Sequence, residues 1–400
     1  VAFISFWKNK SYISTKTRFS MKASPVYVVA ASRTAVVPSG GAFKNLTYEQ
    51  LAVPPILECI RQSGLQKDDV DELIVSNALG AGGNPARVVA LAAGLPDSIA
   101  GLSIDRQCVG GLDAILLGKA LIASGKAHVV VVGGTESHSL RPKRYFKSDW
   151  KSDPEFSEQA RFTPWPENDP LMHDAASNLA NQFSIDKKLQ DQWTTDSHSK
   201  AMASREILKN EIVCPKNTNA EYDPYSRALT QKHFQRSKEI SDTITAINTS
   251  VSADGAAFVV LVSDKIKRKL AIPYTLRLID GHTLGGNPTL PALAPVAAIN
   301  QLLAKNHLIP DDLVLIELME AYAAQAIVCV NKSNLPKERI NVSGGSLSRG
   351  HPIGASGTVL MVRLFYEFAN KNGLGLAAIA GAGGLATALL VEKEAKATNQ

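Results

Sequence analysis

The sequence predicts an α/β protein made of two copies of one α/β unit with an insertion between them. Three observations carry the prediction: runs of Val and Ile alternate with helix-patterned segments, the same order of segments occurs twice, and a charged, Trp- and Pro-rich stretch interrupts the pattern between the copies. In the first copy the strand-like VYVVAASRTAV is followed by the helical pattern LAVPPILECIRQSG and the strand DELIVSNALGAG. GLSID, a cysteine-glycine loop, the helical LDAILLGKALIASG and the buried strand HVVVVGGTES complete it. The second copy runs YTLRLIDGHTLGG, PVAAINQLLAKNHL, DLVLIELME, RINVSGGS, the glycine-rich GHPIGASG, the helix TVLMVRLFYEFANKNG and the strand GLAAIAGAGG. Strands that alternate with helices need crossover connections, and Val/Ile runs bounded by Gly are strands covered on both faces, so two α/β layers packed back to back are expected.

This divides the chain into an extension over 1–22 that is expected to be disordered, a first half over 23–138 with part of 246–270, a cap over 139–245, and a second half over 271–395. Within the cap, AASNLANQF and LQDQWTTDSHSKAMASREILKN carry helical patterns. A long insertion on a rigid scaffold is expected to cover a binding site. The uncharged window GLGLAAIAGAGGLATALLV is long enough to span a bilayer, but its Gly and Ala content splits it into two buried strands around the AGAGG turn, so no membrane span is expected.

Composition excludes several classes of function. The 400 residues, 45% hydrophobic and 20% charged, suit a globular protein with more than one core. Of the formal charge of +6, Lys8, Lys10, Lys16 and Arg18 all precede Met21, which leaves a nearly neutral body and argues against nucleic acid as a partner. The Ser/Thr-rich, acid-free tail reads as an extension ahead of Met21. Were it a transit signal, the location would be an organelle matrix rather than the cytoplasm. Cys59, Cys108, Cys214 and Cys329 are scattered without ligand-like spacing, so neither disulfides nor a metal site is suggested, and a reducing compartment fits. Cys59 and Cys329 sit in apolar helical patterns and read as packing.

Two loops carry candidate chemistry. Cys108, in IDRQCVGGLDAI, lies between a strand and a helix start, where unpaired N–H groups favour a thiolate and can hold an oxyanion. His351, in SLSRGHPIGASG, occupies the equivalent loop of the second copy, so the repeat places a thiol and an imidazole at matching positions that can face one another. Taken alone, either residue also fits a purely structural role. Arg141, Lys143, Arg144, Lys147 and Lys151 form a basic run in the cap that is either a solvated face or a phosphate site. His138 stands near a sheet end in GGTESHSL and reads as structural.

The segments ASRTAV, NPAR (Asn84 to Arg87), the CVGG loop around Cys108, GGTES, INTSVSADGAA, EAYAAQ and GHPIGASG resemble, in that order, the signature segments of the thiolase family, across nearly the whole chain after Met21. The resemblance implies a thiolase fold, a duplicated five-layered αβαβα core with an inserted loop domain that holds coenzyme A. It also implies a homodimer or homotetramer, and a coenzyme A thioester as substrate with no tightly bound cofactor. By the same resemblance Cys108 is the acylated nucleophile and His351 its activating histidine. The backbone N–H groups of Cys108 and Ala380 form an oxyanion hole, Met172 lines the acyl pocket, and Ser250 lies beside the pantetheine arm. Apart from the resemblance, Arg227 joins the basic run from Arg141 as a looser candidate for the coenzyme A phosphates. Two positions depart from the family. Its second cysteine, the acid-base group, aligns with Ala378, and the asparagine of its other oxyanion hole aligns with Met319. Acylation of Cys108 survives both changes, whereas carbon-carbon bond formation loses a base and a donor. Thiolase-type acyl transfer therefore ranks first, decarboxylative condensation second, and a weakened paralogue acting as a binding or partner subunit third.

Overall fold

The computed structural model describes residues 24–395 apart from 81 and 158; the 1–22 extension lies outside the described residues. The first half runs β1 (Val26–Arg33), α1 (Tyr48–Ser63), β2 (Glu72–Ser76), α2 (Pro85–Ala92), β3 (Leu102–Ile104), α3 (Gly110–Ala123) and β4 (Val129–Glu136). The insertion follows, with α4 (Met172–Gln182) and α5 (Lys187–Ala203) as its main helices, and β5 (Ala253–Ser263) then closes the first half. The second half runs β6 (Tyr274–Gly285), α6 (Ala294–Lys305), β7 (Leu313–Leu318), α7 (Ala323–Lys332), α8 (Ile353–Glu367), β8 (Leu374–Gly381) and β9 (Leu385–Ala395). The helix ends follow local chemistry. Thr47 and Gln50 form a capping box ahead of α1, and Gly64, with φ of 72°, turns the chain left-handed after it.

The strand order is β7-β8-β9-β6-β1-β5-β4-β2-β3, with the two-residue strand Val37–Pro38 paired to β5. Each half has the same internal order, except that the counterpart of β3 is reduced to one parallel bridge between Ile316 and Ile340. The half-sheets are not separate, because β1 and β6 pair antiparallel, with Tyr27 opposite Arg277 and Val28 opposite Leu276, and make one continuous sheet.

Side-chain alternation then sorts the core into layers. Val26, Val28, Val130 and Val132 of the first half and Ala377, Ile379, Leu389 and Val391 of the second all pack on Leu112 and Ile115 of α3 and Leu360 and Leu364 of α8. The opposite face of the first half, Tyr27, Val29, Val129 and Val131, packs on Leu51 and Ile56 of α1. The opposite face of the second half, Ile316, Leu318, Leu376 and Leu390, packs on Ile299 and Leu302 of α6. Helix, sheet, helix pair, sheet and helix form five layers, with α3 and α8 in the middle. Each fully buried Val, Leu or Ile contributes about 1.5–3 kcal/mol of burial.

A buried ionic network fastens the insertion to both halves. Arg33 of β1 bonds Glu211 at 2.6 Å and reaches Asp223 through two nitrogens at 2.8 and 2.9 Å, while Arg363 of α8 pairs with the same Glu211 and with Glu367. Arg33, Glu211, Asp223 and Arg363 are almost fully withdrawn from solvent and Glu367 is partly so, and loss of one of the four would strand a buried charge.

Candidate active site

The chain leaves β3 and turns sharply before α3. Asp105 accepts the Gln107 N–H at 3.0 Å, and Gln107, though not a glycine, takes a left-handed φ of 51°. Cys108 follows, two residues ahead of the first residue of α3. In the second half the turn Ser346–Arg349 ends at Gly350, whose φ of 119° suits glycine, and the His351 N–H is fixed on the Val251 carbonyl at 2.8 Å. Glycines let the two helix starts cross closely. A Cβ on Gly357 would meet the Leu112 nitrogen at 2.6 Å, and one on Gly111 would meet the Thr358 nitrogen at 2.6 Å.

This crossing brings the two candidate residues together. His351 Nε2 lies 3.1 Å from Cys108 Sγ, and His351 Nδ1 lies 2.6 Å from Ser356 Oγ. Burial pushes the Cys108 thiol up to about 12, against the pull of the Ala382 N–H and its own N–H on the sulfur. Burial also pushes His351 down to about 4, and nearby His138 adds to the shift. The resting pair is therefore a neutral thiol donating to a neutral imidazole. Nε2 accepts the thiol proton, and Nδ1 carries its own proton and donates to Ser356. Glu136, buried at the end of β4, accepts the N–H groups of Ala78 and Leu79 at 3.1 Å and that of Gly354 at 3.0 Å, tying the histidine loop to the first half. Burial raises its carboxyl to about 7 despite these donors.

A mostly apolar cavity of about 290 Å³ opens on the pair. The insertion contributes Phe162, Met172, Ala175 and Ala176, and the second half contributes Ala292, Tyr322 and Ala380 to Ala382. Met172 and Ser250 thus border the same space as Cys108 and His351, although the Ser250 hydroxyl is already committed to the Ser346 carbonyl at 2.7 Å. Arg227 does not line the cavity. Its guanidinium donates to the Tyr225 carbonyl at 2.9 Å and stacks on the Tyr225 ring at 4.3 Å.

The reading that Met319 and Ala378 face the nucleophile needs correction. Neither side chain borders the cavity, and the Met319 N–H donates to the Ala378 carbonyl at 2.9 Å. Strand alternation turns Met319 into the middle layer and Ala378 into the outer core beside Leu318 and Leu376, two residues deeper on the strand than Ala380. Ala380 does line the cavity, but the N–H directed at the Cys108 sulfur is that of Ala382. Sequence reasoning missed Ala382, Ser356 and Tyr322. Only Ser356, five residues past His351 in GHPIGASG, carried a readable signal.

The remaining candidates lie apart from the cavity. His138 bonds Ser39 at 3.1 Å and Arg141 at 3.0 Å, and burial holds it near 4. Arg141, Lys143 and Arg144 edge a separate surface depression beside Phe156. Cys59 and Cys329 are buried, and Cys214 is exposed. Among the described residues no group of His, Cys, Asp and Glu could hold a metal, and no helix is long and apolar enough to cross a membrane.

Comparison with known proteins gives a consistent result. A Bacillus subtilis (strain 168) protein provisionally named acetyl-CoA C-acetyltransferase YhfS is 37% identical over 373 residues, covering 91% of this chain and 98% of its own. The crystal structure of the Bacillus anthracis acetyl-CoA acetyltransferase superimposes with a TM-score of 0.85 at 31% identity, covering 93% of this chain and 99% of that one. The Acat5 thiolase from Ascaris suum, solved in complex with coenzyme A, also gives 0.85, at 27% identity, over 92% of this chain and 100% of that one. The family models for the thiolase N-terminal and C-terminal domains match residues 26–265 and 273–393, and the chain, which has the thiolase fold, belongs to the thiolase family.

Proposed function

We propose that the protein is an acyltransferase of the acetyl-CoA C-acyltransferase type that forms an acyl-enzyme on Cys108. The observation that carries this reading is the 3.1 Å contact between Cys108 Sγ and His351 Nε2 at the floor of an apolar cavity. The thiol proton passes to Nε2 as sulfur attacks the thioester carbonyl. The Cys108 N–H, with that of Ala380 or Ala382, holds the oxyanion, and the coenzyme A thiolate departs with the proton from His351. Met172 then borders the acyl chain and Ser250 the pantetheine arm. Arg227 and the basic run from Arg141 are candidates for the phosphates beyond the cavity mouth, which assigns coenzyme A binding to the cap over 139–245. Coenzyme A thioester is substrate here, and the chemistry calls for no tightly bound cofactor. Four free cysteines suit the cytoplasm or another reducing compartment.

The test is incubation with acetyl-CoA and longer acyl-CoA donors, followed by peptide mass spectrometry. One acyl group on Cys108, released by hydroxylamine, is expected. Protein that binds coenzyme A but gains no acyl group from any donor overturns the reading in favour of a binding role.

Acylation should also show an unusual acid limb. Acylation fails when His351 is protonated and cannot accept the thiol proton, so its depressed value of about 4 sets the low-pH loss. At pH 5 a histidine of ordinary pKa would be only about 3% neutral, whereas His351 stays about 90% neutral. Single-turnover acylation is expected to change less than about twofold between pH 7 and 5, with far-UV circular dichroism checking that the fold is intact. A fall of about tenfold or more would show that His351 titrates normally.

We further propose a homodimer or homotetramer. The support is edge strand β3, whose Leu102 is 42% exposed, with exposed Val88 and Leu91 on neighbouring α2. Light scattering at micromolar concentration should give a multiple of 42.8 kDa, and a monomer would refute it.

A further inference from the structure

The cavity wall must supply whatever hydrogen bonds the second half of the reaction needs, and most of its polar groups are already engaged. Thr249 donates to the Thr245 carbonyl at 2.9 Å and Ser250 to that of Ser346 at 2.7 Å. Gln325 accepts the Ala321 N–H at 3.1 Å and donates to Cys329 Sγ at 3.4 Å, while Gln107 donates to Asp105 at 3.3 Å. Cys108 and His351 hold each other. Ser252 is an exposed residue at the rim. That leaves Tyr322, a half-buried cavity-lining residue whose hydroxyl has no hydrogen-bond partner among the described residues. Its backbone is rigid, bridged to Thr249 and followed by an Ala323 N–H fixed on the Asn248 carbonyl at 3.0 Å. The hydroxyl faces the cavity space, so a ligand that fills the cavity and displaces water from it must take over its hydrogen bond.

We propose that Tyr322 is a catalytic hydrogen-bond donor, bonding the thioester oxygen of the acyl acceptor while negative charge builds there during carbon-carbon bond formation. The proposal rests on the acyl-enzyme reading above. It assigns a donor to the half of the reaction for which Met319 and Ala378 offer none. Burial above all, and the nearby Asp174 carboxylate, hold the phenol above its ordinary range, so it stays protonated and serves as donor rather than base. No outside reactant is required. Once Cys108 is acylated, Nε2 of neutral His351 is free to take the α-proton of the acceptor, and the resulting enolate oxygen is held by Tyr322. The α-carbon attacks the acyl carbonyl, the bond to sulfur breaks, and Cys108 regains its proton from His351. Cleavage of a 3-ketoacyl-CoA runs the same steps backwards.

The test is Tyr322→Phe, which keeps the ring and its packing. With acetoacetyl-CoA and coenzyme A, kcat for cleavage is expected to fall by about 100-fold, with KM nearly unchanged and acylation of Cys108 by acetyl-CoA slowed far less. Fluorotyrosines at position 322, whose hydroxyls are more acidic, should raise kcat with acidity, which a packing role would not do. A Tyr322→Phe variant that cleaves within about threefold of wild type overturns the proposal, as does wild type that acylates but neither condenses nor cleaves. Wild type that never acylates Cys108 instead removes the function reading itself.

Discussion

Replacing Cys108 with alanine is expected to abolish the acyl-enzyme and to lower turnover by about 10⁴-fold or more, because no other thiol lines the cavity. His351→Ala should cost about 10²- to 10⁴-fold in acylation rate, since the thiol, held at about 12 by burial, then has no acceptor for its proton at neutral pH. The two act as one unit, so the double variant should be scarcely worse than Cys108→Ala alone. Rapid-quench acylation with acetyl-CoA measures all three. A His351→Ala protein that acylates at the wild-type rate would show that the 3.1 Å contact is not the source of activation.

Gly357→Ala is the second large effect, and it acts through backbone geometry. The new methyl would lie 2.6 Å from the Leu112 nitrogen and 3.1 Å from Gly111, and backbone cannot step aside as a flexible side chain would. The starts of α3 and α8 must separate, carrying Cys108 away from His351. A shift of about 1 Å at the reacting groups costs on the order of 100-fold, and the forced repacking adds about 1–3 kcal/mol of destabilisation. Acylation and thermal unfolding should both register the change. Gly285→Ala is the matched control, because its Cβ would meet nothing within 4 Å. Equal behaviour of the two variants would rule out the crossing as the positioning device.

The buried network predicts where the insertion is held. Arg33 and Glu211 are 178 residues apart in sequence yet bond directly inside the protein, so the cap is anchored by charge as well as by packing. Met172 and Phe162 of the same insertion line the cavity.

The sequence by itself determined the repeated order of strands and helices, the insertion, and the loops that carry Cys108 and His351. These are local properties: Val runs, helical periodicity, and glycines at helix starts appear wherever a short window is read. It also pointed to Met172 and Ser250, which the structure places on the cavity. Tertiary structure alone decided that the half-sheets join through β1 and β6, that the two loops meet at a glycine crossing, and that Ala382 rather than Ala380 directs its N–H at the sulfur. It turned Met319 and Ala378 away from the cavity and left the Tyr322 hydroxyl on the cavity without a partner among the described residues. Periodicity says which residues share a face of one element. Which face meets the cavity, and which distant residue completes it, depends on how the layers cross.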